Sequence, residues 1–419
     1  MKKQERAKDS ALSDQLKRPQ YLLWFFYAIL ISFGLYLLLS LIFGKLVVSS
    51  IFYNDNRDLF MDFFNSIRDA SLGEGAYTVR HVIYPPMANL FFWLFSFLTP
   101  KEYNSTEFIR RQTWVQYDSA IVLIIVCVAI AAILMGVLAY CSMRSTRKEN
   151  WMFTAVAVCN VPLFYMLERG NILVLSLISV IVFALTYHSE SKAVRELGLL
   201  ALAFSASLKL YPALFAWLLI GDKRYKDCIR CALYAIAMVI LPSFFFGGVD
   251  ILWTIVKNIF SFSSGGGGAF SVIGLYLGRF LHLPISFTTK AVTLVTYSWF
   301  LLCAVNFILA PFVHPQRWKV WMMGCITFIA FPSLTSVYSW GFFLIPLVLL
   351  FRERPEGKVG LPYFILMAIP FLFLPIPIPV PVAFGTFVVY VVLVVLSAYA
   401  MIDTARVIQK RIKAKKAVA

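Results

Sequence analysis

Charge is scarce in this 419-residue sequence: Asp, Glu, Lys and Arg together make up 14% of it. An ordinary soluble domain carries roughly 25%, so a soluble enzyme is excluded. A disordered chain is excluded as well, because it needs high charge and low hydrophobicity. Cysteine is thin too, with seven scattered residues, which rules out a disulfide scaffold. Most lie in apolar runs, where a free cysteine is a small core residue. Cys228 and Cys231 form a C-x-x-C, but no second pair or histidine follows at zinc spacing. The four glycines at 265–268 lack a following G-K-S/T, so they are not a phosphate loop and read as a lid or linker. No repeat period stands out, and there is no trace of the inverted repeats many transporters carry. No cleavable signal peptide is recognisable. The polar stretch 1–20 runs straight into an apolar segment, expected to be a first span.

What fills the chain is apolar. Hydrophobic residues are 60% of the sequence, and the mean hydropathy is +0.79. This composition predicts an all-α polytopic membrane protein, since a chain this long holds about a dozen spans of ~20 residues. We expect 11–13 membrane segments. The 39 Phe suit lipid-facing and bundle surfaces, while the 20 Tyr and 10 Trp suit the interfaces. The net charge of +17 would suggest nucleic acid in a soluble protein. Here there is no nucleic-acid motif and no basic patch interleaved with aromatics. Cytoplasmic loops gather Lys and Arg, so no nucleic-acid partner is expected.

Charge also predicts the topology. The N-terminal tail (1–20), RSTRKEN (144–150), HSESKAVRE (188–196), GDKRYKD (221–227), HPQRWK (314–319), RERPEGK (352–358) and the basic tail (406–419) are expected on the cytoplasmic side. The membrane domain is then 21–405, with outer loops at 48–83 and 247–289. Residues 152–187 must cross twice, turning outside at 168–171. Residues 196–220 leave and return to one side in a length too short for two full spans. They predict a broken hairpin bent near Lys209-Leu210-Tyr211-Pro212, because proline breaks a helix and irregular backbone at membrane depth must line a cavity. Whether 84–99 crosses fully is open.

The first outer loop concentrates the outer-face charge. Its stretch NRDLFMDFFNSIRDA alternates polar and apolar residues and predicts a short amphipathic surface helix. Asp58, Asp62 and Asp69 fall roughly on one face. Tyr84-Pro85-Pro86 follows at the head of an apolar run, where proline suits a helix start. Arg169 and Asn171 flank Gly170 at an outer turn; Arg169 reads as an interface anchor or as a phosphate contact. Lys209 sits in ALAFSASLKLYPALFAW with no other charge within ten residues, and a lysine in such a setting is a functional candidate. Tyr338 and Trp340 occupy a late outer turn, as interfacial anchors or as the lining of a sugar pocket.

The order of these pieces, D-F-F-N-S-I-R-D-A (62–70), G-E-G-A-Y (73–77), Y-P-P (84–86), E-R-G-N (168–171), S-L-K-L-Y-P (207–212) and T-S-V-Y-S-W (335–340), resembles glycosyltransferase family 87. These are polyprenyl-phosphate-mannose-dependent mannosyltransferases of the GT-C superfamily. The resemblance implies a GT-C-like helical bundle in the plasma membrane, with both termini cytoplasmic and the active site outside. It implies inverting transfer of a sugar, mannose by default, from a polyprenyl-phosphate donor to a hydroxyl of a glycolipid or glycan acceptor. Asp62 matches the position of the catalytic base, with Asp58 as fallback. Such a base typically contributes ~10²–10⁴-fold. The leaving phosphate needs cations; Arg169 and Lys209 are the first candidates, followed by Arg80 and His81. Tyr84, Asn171, Tyr211, Tyr338 and Trp340 are expected in the substrate pocket. No cofactor or metal is demanded. In one respect the sequence departs from the family: a histidine commonly follows the late S-W pair, whereas Gly341-Phe342-Phe343 follow Trp340 here. His81 and Tyr338 are the substitutes the sequence offers. A transporter or lipid flippase is the competing class, and a non-catalytic partner in envelope glycan assembly a third.

Overall fold

A computed structural model describes residues 20–52, 59–99, 118–263, 270, 272–274, 278, 285–330, 337–355, 359–375 and 384–418. Asp58 and the glycine tract at 265–268 lie outside these residues. Every regular element among them is helical, as the composition predicts. The main helices begin with α1 (Tyr21–Phe43), α2 (Met61–Ser71), α3 (Pro86–Ser96) and α4 (Asp118–Met143). There follow α5 (Arg147–Val158), α6 (Val161–Arg169), α7 (Leu173–Thr186) and α8 (Lys192–Leu208). The chain continues through α9 (Tyr225–Ser243), α10 (Asp250–Ser263), α11 (Ile285–Val313) and α12 (Arg317–Ala330), and ends with α13 (Leu344–Glu353), α14 (Gly360–Ala368) and α15 (Phe384–Val418).

Among the described residues, five helical stretches are long and apolar enough to cross a bilayer: Tyr21–Phe43, Asp118–Met143, Tyr225–Phe246, Lys290–Val313 and Thr386–Lys416. The pair α5–α6, bent by 47°, is apolar and long enough only when its two helices are taken together. Its bend has a local cause. Buried Asn160 turns its amide back onto the carbonyls of Val156 and Ala157 (3.0 and 2.8 Å) and accepts from the Leu163 N–H at 2.9 Å. Pro162 then starts α6 without needing a donor. The other apolar segments are short helices, so the multi-pass character rests on long spans combined with broken ones. Helix α3 has 11 residues and is therefore about 16 Å long, half the ~30 Å hydrocarbon core. It does not cross alone.

The bundle has two chemically distinct ends. At one, the segments expected to be cytoplasmic meet one another. Arg144 donates to the Leu185 carbonyl at 3.0 Å and His188 faces Asp222 at 3.2 Å. Arg354 pairs with Glu149, Lys319 with Asp403 at 2.6 Å, and Arg411 donates to the carbonyls of Phe312 and Val313, both at 2.7 Å. Helix α7 runs from Asn171 at the opposite end to Tyr187 at this one, and α8 runs back. Beyond Lys209 the chain returns as a 3₁₀ turn (Tyr211–Ala216) and the short helix Trp217–Gly221. This is the broken hairpin that the charge pattern predicts. The 3₁₀ turn rises about 2 Å per residue against 1.5 Å in an α-helix, so a short return strand covers more of the distance. Between the ends lies an aromatic core in which Trp318, Trp321, Phe215 and Phe328 are fully buried.

Candidate active site

Helix α2 is amphipathic, as its alternation predicts, but its apolar face is buried against protein. Met61, Phe64, Ile67 and Ala70 are covered, and Phe63 packs on Phe92 and Phe95 of the α3 segment with ring centroids 6.0 and 5.6 Å apart. That packing fixes Asp62 on the opposite face. The start of α2 is tied down by Phe60, whose backbone is left-handed (φ 57°) and whose N–H donates to the Glu168 carbonyl at 2.8 Å.

Helix α6 supplies the other half. Gly170 adopts φ 61° and closes the helix with paired bonds, Gly170 N–H to Leu167 O at 3.0 Å and Asn171 N–H to Met166 O at 2.9 Å. This is a glycine-terminated cap, and only glycine enters that conformation without steric cost. A Cβ at Gly170 would also stand 2.7 Å from the Phe63 Cβ. Thus the glycine both ends α6 and lets α2 approach.

The approach brings three side chains together. Arg169 Nη2 donates to Asp62 Oδ1 at 2.5 Å, and Asn171 Nδ2 donates to Asp62 Oδ2 at 2.7 Å. Asn171, only 2% exposed, also accepts from the Leu173 N–H at 3.0 Å, which locks its amide orientation. Both oxygens of Asp62 are therefore engaged in the free protein, one by a charge-assisted bond. Lys209, at the extended break after α8, places its ammonium 4.2 Å from the centre of the Tyr84 ring. This is within cation–π range. Burial pulls the Lys209 pKa down to about 8, against the opposing pull of the Asp62 carboxylate. The phenols of Tyr84 and Tyr338 are raised by burial and next by Asp62, so both stay protonated hydrogen-bond donors. Tyr338 stacks obliquely on Tyr165 with centroids 5.9 Å apart.

Other expected residues fall elsewhere. Arg80 lies 3.7 Å from Asp69, which Arg68 also holds at 2.9 Å. His81 is exposed, with left-handed backbone (φ 53°). Tyr211 is the exception: largely buried and edge-on to Phe328 at 4.0 Å, it lies within electrostatic range of Tyr84 and Tyr338 and so borders the cluster. Trp340 is fully buried and packs on Phe343 at 5.4 Å, so it supports the late turn from within. The residues after Trp340 explain the missing histidine. A Cβ on Gly341 would stand 2.4 Å from Met166 Cε and 3.1 Å from Leu177 Cδ2, and Phe342 fills the core beside Phe328 at 4.5 Å. An imidazole at 341 would have to displace both α6 and α7 side chains.

The family model for glycosyltransferase family 87 matches residues 82–332, more than half of the chain. The chain belongs to glycosyltransferase family 87. It is a membrane glycosyltransferase with donor and acceptor substrates. The family match spans Tyr84, Arg169, Asn171, Lys209 and Tyr211; Asp62 and Tyr338 lie outside it and join the site through geometry. No curated protein and no solved structure matches the chain.

A cleft opens beside the family 87 cluster. It is open to solvent on one side and is lined by Phe63, Phe92, Ile124, Gly170, Asn171 and Leu175 among others, nearly all apolar surface. Two features escape sequence reasoning: the cleft and Tyr165. Tyr165 lies four residues before Arg169, on the same helical face, and that spacing is the signal that points to it.

Proposed function

We propose that this family 87 enzyme transfers a sugar, mannose in the first instance, from a polyprenyl-phosphate donor to a hydroxyl of a glycolipid or glycan acceptor. Transfer occurs with inversion on the extracytoplasmic side of the plasma membrane. The observation that carries the reading is the contact of Asp62 with Arg169 and Asn171, with Lys209 on the adjoining Tyr84 and an apolar cleft alongside. A lipid-phosphate donor needs that combination: cations for the phosphate and an apolar groove for the prenyl chain.

In this reading Asp62 is the general base. It removes the acceptor hydroxyl proton as that oxygen attacks the anomeric carbon, and the sugar–phosphate bond breaks on the opposite face. Lys209 and Arg169 take up the charge that grows on the leaving phosphate, and no metal is called on. Arg169 has two anions to serve. Donor phosphate competing for its guanidinium loosens the Asp62 contact and frees Oδ1 for the acceptor. Asn171 keeps the other oxygen fixed, which orients the base. Tyr84 and Tyr338, as neutral phenols, are suited to hydrogen-bond phosphate or sugar hydroxyls.

The test is sugar transfer by purified protein in nanodiscs, with radiolabelled polyprenyl-phosphate mannose and a membrane extract as acceptor pool. Transfer by wild type that is lost in folded Asp62→Asn supports enzyme class and base together. Equal transfer by both excludes Asp62 and moves the search to Asp58. Absence of transfer by wild type redirects the donor to another polyprenyl-linked sugar.

A further inference from the structure

Helix α10 (Asp250–Ser263) follows directly on the spanning stretch Tyr225–Phe246. The turn between them uses Gly247 and Gly248, both left-handed (φ 103° and 93°), and the Gly248 N–H closes on the Ser243 carbonyl at 3.0 Å. Helix α10 therefore starts where a membrane-crossing helix ends.

One of its faces is committed to protein. Ile251 and Ile255 are buried with Ala76, Tyr77 and Phe246. Asn258, buried on the same face, fixes the helix rotation: its Nδ2 donates to the Tyr77 and Val82 carbonyls at 3.0 and 3.2 Å. The Tyr77 hydroxyl in turn donates to the Tyr84 carbonyl at 3.2 Å. The helix is thus tied to the segment that carries Tyr84, at the same end of the bundle as Asp62.

The opposite face is apolar as well. At about 100° per residue, Val249, Trp253, Val256 and Phe260 point away from Ile251 and Ile255. All four are exposed, Trp253 by 63% and Phe260 by 73%. Phe244 and Phe245 are exposed just before the turn. A third, narrow strip is polar: Asp250, Lys257 and Ser261 are exposed about a quarter turn from both apolar faces. The Lys257 Nζ lies 5.8 Å from the centre of the Trp253 ring, so its stem borders the apolar strip and its ammonium the polar one. A helix in water needs only one apolar face, and a spanning helix needs no polar strip along its length. Protein, apolar and polar faces together fit a helix lying along a boundary between lipid and water, where tryptophan and lysine are favoured.

We propose that α10 is an interfacial anchor. It lies flat in the headgroup layer with Val249, Trp253, Val256 and Phe260 in lipid, and through Asn258 it holds the Tyr77–Tyr84 segment near that level. Under the function proposed above, that is the level at which a lipid-borne phosphate meets Lys209 beside Tyr84.

The experiment places photoreactive p-benzoylphenylalanine at single positions of the full chain in lipid nanodiscs, followed by irradiation and mass spectrometry of the adducts. Leu241, exposed on the spanning stretch, calibrates a lipid contact. We expect lipid adducts from positions 253, 256 and 260 at yields comparable to 241, and only background from 250 and 261. Adducts at 253 but not at 260 would mean a helix rising out of the membrane. Crosslinks from these positions to peptide, in the same chain or a second copy, would mean a face covered by protein. Either result overturns the proposal, as do equal yields from 250 and 261, which would mean full immersion. Asn258→Leu tests the tie to Tyr84: lipid adducts should persist while amide hydrogen exchange over 77–84 becomes faster. Unchanged exchange in that variant would overturn the tie. None of these readouts depends on sugar transfer, so they stand or fall apart from the function proposed above.

Discussion

The two ends of the bundle spend their charges differently. At the basic end one carboxylate serves several cations: Asp227 is held by Arg224 and Arg230 and lies 4.0 Å from Arg195. Arg230 in turn reaches Glu196, which also accepts from Tyr234 at 3.1 Å. Such a network ties loops together. At the opposite end Asp69 is likewise shared by Arg68 and Arg80, but Asp62 is held by one arginine and one amide, and the nearby Lys209 rests on a tyrosine ring. Of these, Lys209 is the secluded charge: it is set against an aromatic ring rather than against a carboxylate. A buried cation without a carboxylate partner is costly for folding and suited to chemistry. The difference teaches that charge density alone does not mark a candidate site; the seclusion of a charge does.

The largest effect should come from the secluded carboxylate. Asp62→Asn is expected to cut transfer by roughly 10²–10⁴-fold with little change in thermal stability, measured by transfer assay and melting in the same detergent. Asp227→Asn should do the reverse, lowering the melting temperature and sparing transfer. If both variants lose activity equally at unchanged stability, the contrast between the ends fails.

Next in size is the buried pair at the basic end. Lys319 is 6% exposed and faces Asp403 at 2.6 Å, with Tyr363 donating to the same carboxylate at 2.7 Å. Lys319→Met leaves that carboxylate with Tyr363 and solvent as its partners and should destabilise by about 2 kcal/mol, read from denaturant or thermal unfolding. Asp403→Asn in the same background should recover part of the loss.

The third prediction concerns pH. Lys209 is charged below about 8 and neutral above it. Donor affinity should therefore hold on the acid side and fall as pH rises through that value, seen as a rising KM for the lipid donor. Lys209→Arg keeps its charge throughout and should remove the alkaline limb, whatever its effect on the absolute rate. A profile unchanged by that variant would remove Lys209 from phosphate binding.

The smallest effect tests the late turn. Gly341→Ala meets chiefly the flexible end of Met166 and should cost about 1 kcal/mol or less. Gly341→His should be strongly destabilising, since its ring has to displace Leu177 as well. A stable, active Gly341→His would show that the turn has room for the family histidine.

Sequence reading reached far for the long-range features that composition controls. Apolar runs and basic loops are enough to predict a helical membrane protein, because a bilayer accepts few other solutions and sorts Lys and Arg to one side. Proline beside Lys209 similarly announces the broken hairpin, since it removes a donor whatever its surroundings. The E-R-G-N turn was legible from topology, since residues 152–187 lie between two basic loops and have to turn midway.

Distances between segments were not legible. Nothing in the chain order says that Asp62 meets Arg169 and Asn171, more than a hundred residues away, while Arg80 turns to Asp69. Those partnerships depend on Phe63 packing against α3 and on the absence of a Cβ at Gly170. The same holds for Trp340, an expected pocket residue that packing turns inward, and for Gly341, whose neighbours exclude the histidine. Local backbone preference and bilayer partitioning are properties of a segment and can be read from it. Pairing, burial and cavity shape are properties of several segments packed at once, and they exist only after the bundle closes.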